Sequence, residues 1–176
     1  MAFAIIIYFD PKTEKQIKDI WRSFDAVNLP NRFERTFRPH ITLCIYEQIN
    51  CADCESKINE ISSQFSLPFI NFDHLGVFNG KEKVLFLAPT PNEHLLAMQR
   101  KVFNTLSAYV SNPWKMYEPD TWVPHCTLAN DLNEEELFKA LALSLKINLP
   151  IQTRISQIGI VEFDPIQSVF EVDLKE

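Results

Sequence analysis

Glycine is nearly missing from this chain: three residues in 176. A glycine-rich phosphate cradle is therefore excluded, and neither GxGxxG nor GxxxxGK followed by Ser or Thr occurs. Positive charge is also short. Seventeen Lys and Arg stand against 23 Asp and Glu, for a net charge of −6 and a pI near 5.3. Proteins that grip long nucleic acid draw affinity from a basic stripe, and none is visible, so no long nucleic-acid tract is expected as a partner. A small anionic ligand or the end of an RNA needs only one or two basic groups and stays open. No apolar run approaches the ~18 residues of a membrane span. The opening MAFAIIIYFDP lacks a basic leader and a cleavage site, and reads as the first strand of a soluble, cytoplasmic protein without membrane contact.

Cysteine is scarce as well, with four residues. In a chain of this length they read as reduced thiols, not a disulfide framework. Cys51-Ala52-Asp53-Cys54 forms a CxxC. A zinc site lacks a matching second pair, since Cys44 and Cys126 are single. A redox pair at a helix start is sound chemistry. Both cysteines, however, extend an apolar stripe, so they read as core thiols. No metal or cofactor is expected.

What is present is core material. Hydrophobic residues make up 46% of the chain, including 14 Phe. That suits one domain over 1–176, expected to be a monomer. Residues 2 to 9 read as a buried strand, and Asp10-Pro11 opens a helix carrying Ile17, Ile20, Trp21, Phe24 and Val27. A strand is expected over 36 to 46 and a helix over 51 to 65, broken by Pro68. Two strands follow, near 70 to 78 and 83 to 88, around an Asn79-Gly80 turn. Thr90-Pro91-Asn92-Glu93 reads as a capped helix start with Thr90 as N-cap. That helix is expected to turn Leu95, Leu96, Val102, Phe103, Leu106, Tyr109 and Val110 inward. A strand over 121 to 130 precedes a helix started by Asn133 with Glu134, Glu135 and Glu136, its core face Leu137, Leu141 and Leu145. Strands near 152 to 162 and 168 to 174, with a turn at Asp164-Pro165, end the chain. Strands and helices mix without strict βαβ alternation, so the class is α+β with antiparallel sheets.

Two phrases repeat across this pattern: RPHITLCIY (38 to 46) and WVPHCTLAN (122 to 130). Each holds Pro-His-x-Thr-Leu, and the histidines are 125 − 40 = 85 positions apart. They use two of only four histidines. One such phrase alone is an ordinary half-buried polar face. Two at matched places in a degenerate duplication are a constellation. On a strand, residues two apart share a face. His40 and Thr42 are thus expected together, with Cys44 and Tyr46 continuing that face, and His125 and Thr127 likewise pair. If the halves oppose these faces, two imidazoles and two hydroxyls converge. Imidazoles with ordinary pKa near ~6.5 can serve as one base and one acid at cell pH. Threonine hydroxyls can donate to non-bridging phosphate oxygens. The reaction that fits is in-line displacement at phosphorus in a phosphodiester. The residues do not settle which histidine is base and which is acid.

At these motifs the chain resembles the two-histidine phosphoesterases, which include 2′-5′ RNA ligase-like proteins and cyclic nucleotide phosphodiesterases. His40-Ile41-Thr42 and His125-Cys126-Thr127 match their paired His-x-Thr/Ser signature. HLGVFNGKEKVLFLAPTPNEHLLAMQRKVF (74 to 103) is similar to the family's segment between lobes, and FDPIQSVFEVDL (163 to 174) to its closing strand pair. The resemblance implies a bilobal α+β fold, two pseudo-symmetric lobes each with an antiparallel sheet around a central cleft. It implies metal-independent catalysis by His40, Thr42, His125 and Thr127. The implied ligands are a cyclic nucleotide, a related cyclic ribose phosphate, an RNA end carrying a 2′,3′-cyclic phosphate, or a 2′-5′ linked oligonucleotide. The ligase-like branch carries a basic residue soon after each motif, where this chain has Cys44 and Asn130; that favours a smaller substrate. Arg38 is a candidate to compensate, within a loose cluster with Arg32 and Arg35. Tyr8, Tyr46, Trp122 and Phe163 are candidate surfaces for a base. A hydrolase is the first reading, a 2′-5′ ligase or oligonucleotide cleaver the second, and a non-catalytic binder of nucleotides or RNA ends the third.

Overall fold

The computed structural model describes residues 2–30, 37–65, 69–163 and 166–174. Its elements run β1 (Ala2–Phe9), α1 (Pro11–Asp25), β2 (His40–Ile49), α2 (Cys51–Ser62), β3 (Phe69–Asn79), β4 (Lys83–Pro89), α3 (Glu93–Leu106), β5 (Val110–Pro113), β6 (Cys126–Leu132), α4 (Glu134–Ser144), β7 (Ile151–Phe163) and β8 (Gln167–Asp173). A single 3₁₀ turn, Lys115–Tyr117, lies between β5 and β6. Arg32 and Arg35 of the expected basic cluster, the Pro68 break and the Asp164-Pro165 turn fall outside the described residues.

The class is α+β, as the pattern implies. Every strand pairing is antiparallel, and the strands form one eight-stranded sheet in the order β5-β2-β1-β7-β3-β4-β6, with β8 also on β7. In place of one sheet per half, the long strand β7 serves both. Its residues 151–154 pair with β3, and its residues from 155 onward pair with β1 and β8.

Helix starts follow local chemistry. Asp10 accepts from Thr13 N ahead of Pro11, and Asn133 with Glu136 closes a capping box. For α3 the cap is Asn92, whose Oδ1 accepts from Leu95 N, not Thr90. Thr90 is still held by the sheet, its N–H on Asn71 O and its hydroxyl on Asp73. That helix ends at Leu106, and Val110 goes instead to β5, opposite Ile49. Leu96 and Leu145, expected inward, are exposed.

Strand β1 lies between β2 and β7 and is buried on both faces. Ile5, Ile7 and Phe9 join the main core with Ile17, Trp21 and Phe24 of α1. Ala4, Ile6 and Tyr8 join a smaller cluster with Phe37, Ile45 and Val161 on the other face. A cleft opens over that second face.

Candidate active site

The two repeated phrases form the first strokes of β2 and β6. Along the sheet these strands are far apart, with β1, β7, β3 and β4 between them. In space they meet: the Trp122 indole, just before β6, donates to Thr42 O of β2 at 2.9 Å. The two motif strands thus approach each other without sharing a ladder. A cleft of about 1080 Å³ lies between them, and His40, Thr42, His125 and Thr127 all line it.

The proline in each phrase has a structural use. The residue before a proline is held extended, which fixes the direction of its carbonyl. His40 Nδ1 lies 2.7 Å from Arg38 O, and His125 Nδ1 lies 2.7 Å from Val123 O. A carbonyl only accepts, so Nδ1 carries the proton and donates in both cases. Nε2 is then the atom that titrates. Aromatic rings fix both planes. Phe37 stacks on His40 at 5.2 Å, and Phe78 meets His125 edge-on at 4.9 Å with Phe86 at 5.4 Å.

The leucine in each phrase also has a use. Ile5 pairs with Cys44 but Ile6 with Thr42, so Leu43 is an extra residue in β2. Leu85 pairs with Ala129 but Phe86 with Thr127, so Leu128 is the extra residue in β6. Both are β-bulges, and a bulge reverses the inside–outside alternation beyond it. Before the bulge, Ile41 and Cys126 face the main core. After it, Cys44, Tyr46 and Ala129 face that core, while Ile45, Glu47 and Asn130 turn to the cleft.

This reversal decides where the remaining expected residues lie. Tyr46 is 1% exposed in the main core, and burial, with Cys44 beside it, drives its phenol far above the ordinary range. Trp122 is buried and spent on Thr42 O. Arg38 is not among the residues that line the cleft. Its Nε and Nη1 donate at 2.9 Å to Glu14 and Glu171, and its Cζ sits 3.9 Å from the Tyr8 ring centre. Burial alone would lower its pKa, but Glu14 and Glu171 outweigh it and hold the guanidinium firmly charged. Tyr8 is buried beneath Arg38 and donates to Glu171 Oε1 at 3.3 Å; burial first, then Glu171, raises its phenol. None of these four lines the cleft, whereas Phe163 does.

Several lining residues had no signal in the sequence. Trp114, Met116 and Tyr117 sit around the 3₁₀ turn, with Val123 opposite; Phe78 and Val84 come from β3 and β4. Their contribution is apolar and aromatic, suited to a planar ring. Among the described residues the cleft is lined by no Lys or Arg, and by one carboxylate, Glu47. Glu47 accepts from Asn112 Nδ2 at 3.0 Å. Among the described residues no group of three or more metal-ligating side chains is present. None of the four cysteines is in a disulfide; Cys51 is half-buried and the rest are buried. No helix is long and apolar enough to cross a membrane.

The profile of the 2'-5' RNA ligase superfamily matches residues 9–165. No curated protein matches the chain. Among solved structures, a phosphoesterase superposes with a TM-score of 0.62 at 15% identity, over 99% of this chain and 98% of its own. LigT of E. coli, solved with 3'-AMP, gives 0.57 at 12% over 99% and 98%. Usb1 of Kluyveromyces marxianus gives 0.53 at 12% over 99% and 98%. At these identities the likeness shows a shared fold.

Proposed function

The chain belongs to the 2'-5' RNA ligase superfamily, and from that membership we propose that it is a phosphodiesterase that opens 2′,3′-cyclic or related cyclic ribose phosphates. The observation that carries this reading is the pairing of His40 with Thr42 and His125 with Thr127 in one cleft, both imidazoles held with Nε2 as the titrating atom.

The reaction follows from those atoms. A neutral imidazole takes a proton from water at Nε2 as the water oxygen bonds to phosphorus. The P–O bond to one ribose oxygen breaks in line, and that oxygen takes the proton from Nε2–H of the other imidazole. The Thr42 and Thr127 hydroxyls donate to the non-bridging oxygens, where charge builds in the transition state. Base, acid and anion donors are then all supplied by protein, and the chemistry is metal-independent. Acid–base assistance of this kind is worth roughly 10²–10⁴-fold per group. The order of the two roles depends on which way the ribose lies.

The lining supports a small substrate. Aromatic and apolar surface suits a nucleobase, and about 1080 Å³ has room for a nucleotide. LigT and Usb1 were solved with 3'-AMP and uridine monophosphate, which supports a ligand of nucleotide size here. A longer RNA would bring a phosphate every few ångströms along a wall whose charge is Glu47, against the electrostatics such binding needs. The family's own description favours a second reading, 2′-5′ RNA ligation or 2′-5′ oligonucleotide cleavage.

The test is turnover followed by phosphorus NMR, with EDTA present. The panel is 2′,3′-cyclic mononucleotides, ADP-ribose 1″,2″-cyclic phosphate and a 2′-5′ linked dinucleotide. One phosphomonoester product from a cyclic substrate, lost in both His40→Ala and His125→Ala while the fold survives, is expected. Turnover of the dinucleotide alone would select the second reading. Binding without any turnover would leave a nucleotide sensor.

A further inference from the structure

We propose that Trp21 and Trp122 are positioning residues, a reciprocal pair of braces in which each half of the chain holds the other half's reactive strand. The proposal rests on the reading that His40, Thr42, His125 and Thr127 react together.

The two bonds are mirror images. Trp21, on α1, donates from Nε1 to Thr127 O at 3.2 Å. Trp122, in the extended segment before β6, donates from Nε1 to Thr42 O at 2.9 Å. Sequence separations of 106 and 80 residues make both long-range ties. Both indoles are almost fully buried, 2% and 8% exposed. A buried indole N–H is placed where it finds an acceptor. In this chain both find the same atom type at equivalent positions.

That position is the one where bracing matters. Thr42 and Thr127 each precede the extra residue of a β-bulge, Leu43 and Leu128. A bulge interrupts the ladder and lets the strand bend, so the ladder alone fixes it less well. The same bulge aims the threonine hydroxyl and, two residues earlier, the imidazole. No ladder connects β2 to β6, so their separation is set by whatever bridges them. Trp122 reaches across that gap directly. Trp21 stands at the junction, bounding a hollow of about 10 Å³ together with His40, Cys126 and Thr127. Loss of either N–H frees a motif strand to shift, and a shift of about 1 Å in reacting groups costs roughly 10²-fold in rate.

The third tryptophan, Trp114, lies 40% exposed on the cleft rim and serves as an internal reference. The experiment has two arms. In the unliganded protein, nitrogen-15 spectra follow the three indole N–H signals and the histidine ring nitrogens. Trp21 and Trp122 N–H are expected to exchange with solvent at least tenfold more slowly than Trp114. Replacing the Trp122 indole by the isosteric benzothiophene removes the donor and keeps the shape. It should move the ring signals of His40 while the protein stays fully folded by circular dichroism. Trp21→Phe should do the same to His125.

The second arm is kinetic. The benzothiophene variant is expected to lose about tenfold in kcat with KM within twofold. In a Thr42→Val background the same replacement should cost clearly less than its tenfold in the wild type, because the Thr42 hydroxyl is gone and only His40 is left to misplace. Fast exchange at both buried indoles, or unmoved imidazole signals with unchanged kcat, would overturn the brace. So would a full tenfold loss that persists in Thr42→Val. If the wild-type protein turns over nothing, the functional reading fails, and the spectral arm still decides the brace.

Discussion

Gly76→Ala is the substitution that tests the environment of His125 most sharply. Gly76 lies on β3 opposite Phe86 of β4, and Phe86 lies in turn opposite Thr127 of β6. The Phe86 ring lies against the glycine. A methyl at Gly76 would sit 2.2 Å from Phe86 Cε2 and 2.3 Å from Cζ. Ordinary carbon–carbon contact needs about 3.5 Å, so the ring must retreat by roughly 1.3 Å. Its path is closed by Phe78, with ring centres 4.4 Å apart, and by His125 at 5.4 Å. Overpacking of this kind costs about 1–3 kcal/mol. Restricting the unfolded chain returns about 0.4–1 kcal/mol. The net expectation is a loss of up to about 2.5 kcal/mol, read as a fall of several degrees in Tm. The same displacement reaches His125, so kcat should fall tenfold to a hundredfold, about 1.4–2.7 kcal/mol of transition-state stabilisation. The assay is thermal denaturation beside turnover of the substrate found by phosphorus NMR. Phe86→Leu in the alanine background shortens the ring and should recover part of both losses. Wild-type Tm and wild-type kcat in Gly76→Ala would refute the argument, because they would show that the ring is not held against the glycine.

Arg38→Ala should leave KM within twofold and lower stability by about 1 kcal/mol, since Glu14 and Glu171 lose a shared, half-exposed partner. A tenfold rise in KM would instead put the guanidinium on the substrate. Asp10 gives a pH prediction. Burial raises its pKa, but hydrogen bonds from Thr13, Thr153 and Arg154 outweigh that and hold the carboxyl below its usual range. Its contribution is therefore complete above the unfolded pKa of ~3.9 and is lost as pH falls through the lower folded value. Asp10→Asn should cost about 1–2 kcal/mol at pH 7 in urea melts, because the amide meets the Thr153 and Arg154 donors with a donor of its own. The difference from wild type should shrink below pH 4, and a constant difference down to pH 3 would contradict this. Burial pushes Cys44 up to about 12 and Cys54 up to about 11. At pH 8 a thiol reagent should modify the half-buried Cys51 quickly and the other three only after unfolding. Rapid loss of a Cys51–Cys54 pair would mark a redox couple.

Much of this protein is written locally. Pro-His-x-Thr-Leu at two places marks the two strands whose His and Thr meet in the cleft, because the residue types able to move protons and hold phosphate are few. Asp10-Pro11 and Asn133 through Glu136 place helix starts through short-range hydrogen bonds. The antiparallel α+β class follows from the order of periodic segments. The errors are equally instructive. Tyr46 and Cys44 share a face with His40 only in a perfectly alternating strand, and Leu43 breaks the alternation. A bulge depends on the partner strand's register, which no window of one strand contains. Arg38 looks like a phosphate ligand until Glu14 and Glu171, distant in sequence, claim it. Trp122 looks like a base platform until Thr42 O claims its N–H. Sequence determined which side chains are chemically able to act, since ionisation and hydrogen bonding belong to single residues. Tertiary structure alone decided which of them meet, because β2 and β6 approach each other without sharing a ladder and long-range partners settle which polar atoms are already satisfied.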